Sequence, residues 1–206
     1  MRIAIIGSAG KVGSLIATEA RNRGHEVVGF GRTDKPGVDI VKNASELTIE
    51  DLAGFDVVIG ALGFFSPETL HLHSETALHL ADLLSGTDTR LLIVGGAGSL
   101  YLDPQHTTQL KDAPDFPAEF RPLAQAQSDQ LDALRRRDDV AWTFVSPAAD
   151  FRAEGERTGT YVLAGEEFQT GHDGESVISY ADYAIAMVDE AENAAHPRQR
   201  ISVHAQ

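Results

Sequence analysis

Three glycines, Gly7, Gly10 and Gly13, follow directly on the apolar run Ile3-Ala4-Ile5-Ile6. The pattern reads strand, tight turn, helix start. Backbone N–H groups and a helix N-terminus then converge on one point of partial positive charge, which suits a pyrophosphate. Gly7 lets the chain turn, Gly10 lets the backbone approach phosphates, and Gly13 lets helix and strand pack closely. The spacing is G-x-x-G-x-x-G, not the G-x-G-x-x-G dinucleotide fingerprint. Context therefore carries the reading: an apolar strand before the turn, and the amphipathic positions Val12, Leu15, Ile16 and Ala20 after it, stopped at Gly24. Ala9 completes the turn. Lys11 either reaches a phosphate or is a solvated side chain.

The end of the second predicted strand, Gly29-Phe30-Gly31-Arg32-Thr33-Asp34, bears on which dinucleotide would bind. NAD-specific sheets place an acid about 20 positions past the glycine turn, on the ribose hydroxyls. Here Gly31 stands in that place and Arg32 follows. Arg32 can pair with a 2′-phosphate and Thr33 can donate to it, so an NADPH preference is expected. NADH stays open, because a small register shift would bring Asp34 to the ribose. Asp39-Ile40 is a candidate adenine contact. Ala61-Leu62-Gly63 closes the fourth strand, where a dinucleotide would lie. Gly95-Gly96-Ala97-Gly98 closes the fifth, and either admits a ligand to the backbone or only makes a loop.

The elements that must position these residues alternate between short apolar runs and helical patterns. Strands are expected near 2–6, 26–30, 38–41, 56–62, 90–94, 141–145 and 201–204. Helices are expected over about 11–23, from 48, over 66–84 with Ser66 as N-cap and Pro67 at the first position, over 117–137, and from Ser179. The strands lack strict polar alternation, the pattern of strands covered on both faces. The fold class is therefore α/β, a Rossmann-type doubly wound parallel sheet in one domain, with ligands at the carboxyl ends of the strands. The Tyr180, Tyr183, Ala184, Met187, Val188 stripe reads as core. The proline-containing stretch 100–122 and the glycine-rich stretch 152–174 are the places for a substrate pocket.

Composition bounds the function. The chain has 206 residues, 42% hydrophobic, with no cysteine, so disulfides, thiolate nucleophiles and Cys-bound metals are unavailable. A formal net charge of −14 disfavours nucleic acid. No apolar run is long enough for a membrane span, and the N-terminus reads as a core strand rather than a leader, so a cytoplasmic location is expected.

The motifs resemble those of the atypical short-chain dehydrogenase/reductase proteins of the NmrA-like type, in particular NAD(P)H-flavin reductases and, more distantly, flavin/biliverdin reductases. The resemblance rests on Ile5–Gly13, Gly95–Tyr101, Ser146-Pro147-Ala148-Ala149, Gly155–Gly159 and Ile178–Ala184. It implies NADP binding and a flavin or similar flat acceptor near the nicotinamide. Ala9 departs from the threonine expected in many relatives, and a small residue still fits. Ser99 and Tyr101, past the fifth strand, are the candidate proton donors or polar pocket residues, or else make ordinary loop hydrogen bonds. Pro147-Ala148 is expected beside the nicotinamide carboxamide. Arg157 and Thr158 are expected at the acceptor pocket, within a C-terminal portion of about 147–206, although Arg157 could equally form a structural salt bridge.

Complete short-chain dehydrogenases use a Tyr-x-x-x-Lys pair, and none of Tyr101, Tyr161, Tyr180 and Tyr183 has a lysine four residues on. Flavin reduction does not need that pair. The leading reading is an NAD(P)H-dependent reductase acting on a flavin, quinone or related small molecule, with flavin as a diffusing or weakly bound acceptor, in a monomer or homodimer. The rival is a dinucleotide-binding redox sensor without turnover; an epimerase is a weaker third. His71 and His73 lie about 200° apart on a helix and His71 and His79 more than two turns apart, so they read as partly solvated positions, not metal ligands. The run Arg135-Arg136-Arg137 reads as a solvated helix end.

Overall fold

A computed structural model describes residues 1–206. Ten strands and five helices follow in the order β1 (Arg2–Ile6), α1 (Lys11–Asn22), β2 (Glu26–Gly31), β3 (Ile40–Val41), α2 (Ile49–Leu52), β4 (Val57–Gly60), α3 (Leu72–Leu84), β5 (Arg90–Val94), α4 (Arg121–Leu134), β6 (Trp142–Ser146), β7 (Asp150–Arg152), β8 (Val162–Ala164), β9 (Val177–Ser179), α5 (Tyr180–Asn193) and β10 (Gln199–His204). Eight strands form one sheet in the order β3-β2-β1-β4-β5-β6-β10-β8. Every pairing is parallel except β8 against β10. This is the Rossmann-type sheet expected from the alternating pattern, with the order reversing beside β1.

The apolar strands are buried on both faces because their alternate side chains enter two separate cores. Ile3 and Ile5 pack with Ile16 of α1 and Tyr183 and Met187 of α5. Ala4 and Ile6 pack with Leu80 of α3 and Leu131 of α4 on the other side. Truncating one such fully buried aliphatic to alanine costs about 2–5 kcal/mol. Helix α5 starts where its cap residue requires: Ser179 Oγ accepts from the Asp182 amide at 3.0 Å. No helix is long and apolar enough to cross a membrane.

Several boundaries differ from expectation. Ser66-Pro67-Glu68 does not open α3. Ser66 and Thr69 close a turn through their hydroxyls at 3.0 Å, and the helix begins at Leu72. Residues 117–120 form a separate turn before α4. The stretch 152–174 is not wholly irregular, since it holds β8, and β7 pairs in parallel with the distant β9. His73 is buried, with Nε2 on the Phe64 carbonyl at 3.0 Å, and burial lowers its pKa. His79 Nε2 reaches the Leu47 carbonyl at 3.0 Å. Arg135 and Arg137 pair with Glu166 and Asp139, at 2.7 Å each, rather than being free in solvent.

Candidate functional site

The carboxyl ends of β1, β4, β5 and β6 open into one cavity of about 1000 Å³. Gly10 of the glycine turn, with Lys11 and Val12, lines one part of it. Gly7 sits at φ +93°, and a Cβ there would lie 2.5 Å from the Ala61 carbonyl oxygen. A Cβ on buried Gly13 would lie 2.3 Å from the Gly7 carbonyl oxygen, so α1 packs onto the turn only with glycine. Gly10 is exposed, and its Cβ position has no neighbour closer than 3.1 Å. The Ser8 hydroxyl ties the turn to the Gly37 carbonyl at 2.7 Å.

Helix α1 has no side-chain cap, and its first amide bonded within the protein is that of Ser14, to the Gly10 carbonyl at 2.9 Å. The Lys11, Val12 and Gly13 amides donate to no protein acceptor. Gly10, Lys11 and Val12 line the cavity, so unpaired donors, the positive end of a helix and an ammonium group meet there. These groups fit a pyrophosphate. Ala9 is exposed on the same turn.

Of the other expected contacts, Ala61, Leu62, Gly63, Gly95, Gly96, Pro147 and Ala148 line this cavity. Arg32 and Thr33 stand exposed at the end of β2, without hydrogen-bond or ionic partners. Asp39 is committed elsewhere: Oδ2 accepts from the Gly29 amide at 2.7 Å and lies 3.5 Å from Arg21. Its carboxylate closes the edge of β2 and does not line the cavity. Ile40, on the short β3, is exposed.

Arg32, Thr33 and Ile40, like Asp39, are not part of the cavity lining, and of the glycine turn Gly7, Ala9 and Gly13 are not either. The expected catalytic and acceptor residues Ser99, Tyr101, Arg157 and Thr158 also lie outside it. The chain turns sharply after Gly98, with the Leu100 amide on the Ala97 carbonyl at 2.9 Å. Ser99 is thereby buried against Arg200, whose Nη2 donates to the Ser99 carbonyl at 3.3 Å. The Tyr101 backbone is tied to residues 166 and 168, and its ring stacks on His106 at 4.4 Å. Arg157 pairs with Glu19 at 2.9 Å, on the α1–α5 face. The Thr158 amide and hydroxyl donate to Asp182 at 3.1 and 2.9 Å. Asp182 also accepts from Gly159 and Ser179. Burial alone would raise the Asp182 pKa, but these donors outweigh it and lower it. Thr158 thus anchors a loop to the start of α5.

The stretch 100–122, expected to build a pocket, supplies Leu110, Asp115, Phe116, Pro117 and Phe120 to the cavity wall, and 152–174 supplies only Phe168; the individual aromatic residues carried no signal in the sequence. Phe65, Phe116, Phe120, Phe151 and Phe168 line the cavity, with Leu123, Gln127 and Tyr180. Tyr180, expected in the core, packs on Phe151 with ring centroids 4.1 Å apart and faces the cavity. A Cβ on Gly96 would lie 2.0 Å from Gln127 Oε1, so that glycine leaves room for the Gln127 carboxamide.

A family model described as NAD(P)H-binding matches residues 7–194. The protein YwnB of Bacillus subtilis, itself uncharacterized, is 44% identical over 209 residues, with 98% of each chain covered. A crystal structure from Streptococcus pneumoniae, provisionally named an NADH-flavin reductase, superposes with a TM-score of 0.97 at 52% identity and full coverage of both chains. One from Bacteroides thetaiotaomicron, provisionally named an epimerase, gives a TM-score of 0.85 at 34% identity over 99% of this chain and 96% of the other. With its glycine turn, its sheet order and these relatives, the chain belongs to the NAD(P)H-binding family, in agreement with the resemblance of its motifs to NmrA-like atypical short-chain dehydrogenases.

Proposed function

We propose that this protein is an NADPH-dependent reductase that transfers hydride to a flat acceptor such as a flavin or quinone. The observation that carries the reading is one continuous cavity joining the unpaired amides of the glycine turn to an aromatic chamber past β5 and β6. Bound NADPH would supply a hydride and leave as NADP⁺; the acceptor takes that hydride together with one proton from water.

The chain's own part is binding, orientation and exclusion of water. Lys11 and the α1 amides would hold the pyrophosphate, with Arg32 and Thr33 on the 2′-phosphate. The backbone at Gly95, Gly96, Pro147 and Ala148 would flank the nicotinamide. The 147–206 portion supplies Phe151, Phe168 and Tyr180 to the acceptor side. The name of the Streptococcus relative supports a flavin-like acceptor. The epimerase reading is less favoured, because none of the four tyrosines is followed by the lysine that such proton transfers employ.

The test is NADPH oxidation by the purified protein with free FMN, riboflavin or a benzoquinone supplied. Saturable turnover with at least one acceptor is expected. Tight NADPH binding without turnover across that set would refute the reading and favour a redox sensor.

A further inference from the structure

We propose that the acceptor is an uncharged flat ring, and that the protein discriminates against acceptors carrying a phosphate. The inference rests on the reductase reading and names the substrate class of the same cavity. The acceptor side is aromatic, and Phe65 and Phe120 at its rim are 77% and 56% exposed, an apolar surface that a planar ring would cover.

The charges in the wall are Lys11, Asp115 and Asp150. Lys11 belongs to the pyrophosphate end, which leaves carboxylates on the acceptor side. Asp115 is exposed on the loop before α4 and has no cationic partner. The basic residues nearby in sequence are already engaged. Arg121 Nη2 donates to the Ala113 carbonyl at 2.9 Å, and Arg152 Nε pairs with Asp150 at 2.6 Å. A phosphate on the acceptor would find no cation in the wall other than the Lys11 of the pyrophosphate end, would face Asp115, and would enter against a net charge of −14. A neutral polar group is also free: the Gln127 carboxamide lines the cavity and makes no side-chain hydrogen bond within the protein, so it can donate to a ring carbonyl.

Riboflavin and FMN share one ring and differ by the phosphate, which makes them the direct probes. Binding is followed by quenching of flavin fluorescence, with the protein saturated by NADP⁺. Riboflavin is expected to bind on the order of tenfold more tightly than FMN at low ionic strength, with the gap narrowing as salt is added. Asp115→Lys should shrink the gap by tightening FMN. Equal or tighter FMN binding, a gap indifferent to salt and to Asp115→Lys, or no binding of either flavin would overturn the inference. Turnover is read separately: riboflavin bound in preference to FMN but never reduced would leave the charge discrimination standing and refute the reductase reading.

Discussion

Arg32→Ala isolates the basis of the proposed NADPH preference. The Arg32 guanidinium is exposed, with no partner within the protein, so its removal should leave the fold and its stability unchanged. Two unit charges 4 Å apart interact by about 1 kcal/mol in bulk water and about 4 kcal/mol near a protein surface. An exposed arginine beside a ribose phosphate lies toward the lower figure, and charge-assisted hydrogen bonds contribute about 1.5–3 kcal/mol. A loss of about 1.5–2.5 kcal/mol corresponds to a Kd for NADPH raised roughly 10- to 70-fold. NADH lacks the phosphate, so its Kd should change by less than about twofold, well below the 1.4 kcal/mol that a tenfold change requires. The assay is titration of nicotinamide fluorescence with each dinucleotide, at low and at raised salt. The wild-type preference should also weaken with salt, because the contact is solvent-exposed. Equal losses for both dinucleotides, or no loss for NADPH, would refute the assignment of Arg32 to the 2′-phosphate.

Three further outcomes follow from contacts of the structure. Gly13→Ala places a Cβ 2.3 Å from the Gly7 carbonyl oxygen, so the turn must shift; reduced thermal stability and at least about tenfold weaker NADPH binding are expected in calorimetry, in line with the cost of overpacking. Asp182→Asn exchanges one acceptor oxygen for a donor among four donors and should destabilise by about 2–3 kcal/mol in urea unfolding at neutral pH. The Asp182 pKa is lowered in the folded state, so its contribution is present above the ordinary aspartate range and is lost as pH falls through the folded value; the gap between wild type and variant should therefore close in acid, below about pH 4. Tyr101→Phe should leave kcat within about twofold, because the ring stacks on His106 outside the cavity; a loss of about a hundredfold or more would restore Tyr101 as a proton donor.

What could be read in advance follows the range of the interactions involved. The β1–turn–α1 unit is encoded by adjacent residues, and its glycines occupy the positions their spacing predicted. Strand β5 and the Ser179 cap are equally local and stand where expected. The start of α3 is not local: Ser66-Pro67 has cap chemistry, yet the chain makes a closed turn there, and the buried His73 bond to Phe64 lies beyond it. Position after β5 alone points Ser99 and Tyr101 toward the site, but the turn at Ala97–Leu100 and the buried Arg200, 101 residues on from Ser99, hold both outside the cavity lining. The cavity's aromatic wall gathers Phe65, Phe116, Phe151 and Phe168 from four separate segments, and no spacing announces such a set. Strands β7 and β9 have three residues each and define one another only by pairing.

In the proposed reaction one cavity holds the dinucleotide and the acceptor together while hydride passes between them. It is tested most directly by a single-turnover experiment without oxygen, mixing the preformed protein–NADPH complex with riboflavin and following both chromophores. One flavin should be reduced for each NADPH oxidised, faster than the same reagents without protein and saturating with riboflavin. Bound NADPH that persists in the presence of bound riboflavin would contradict it.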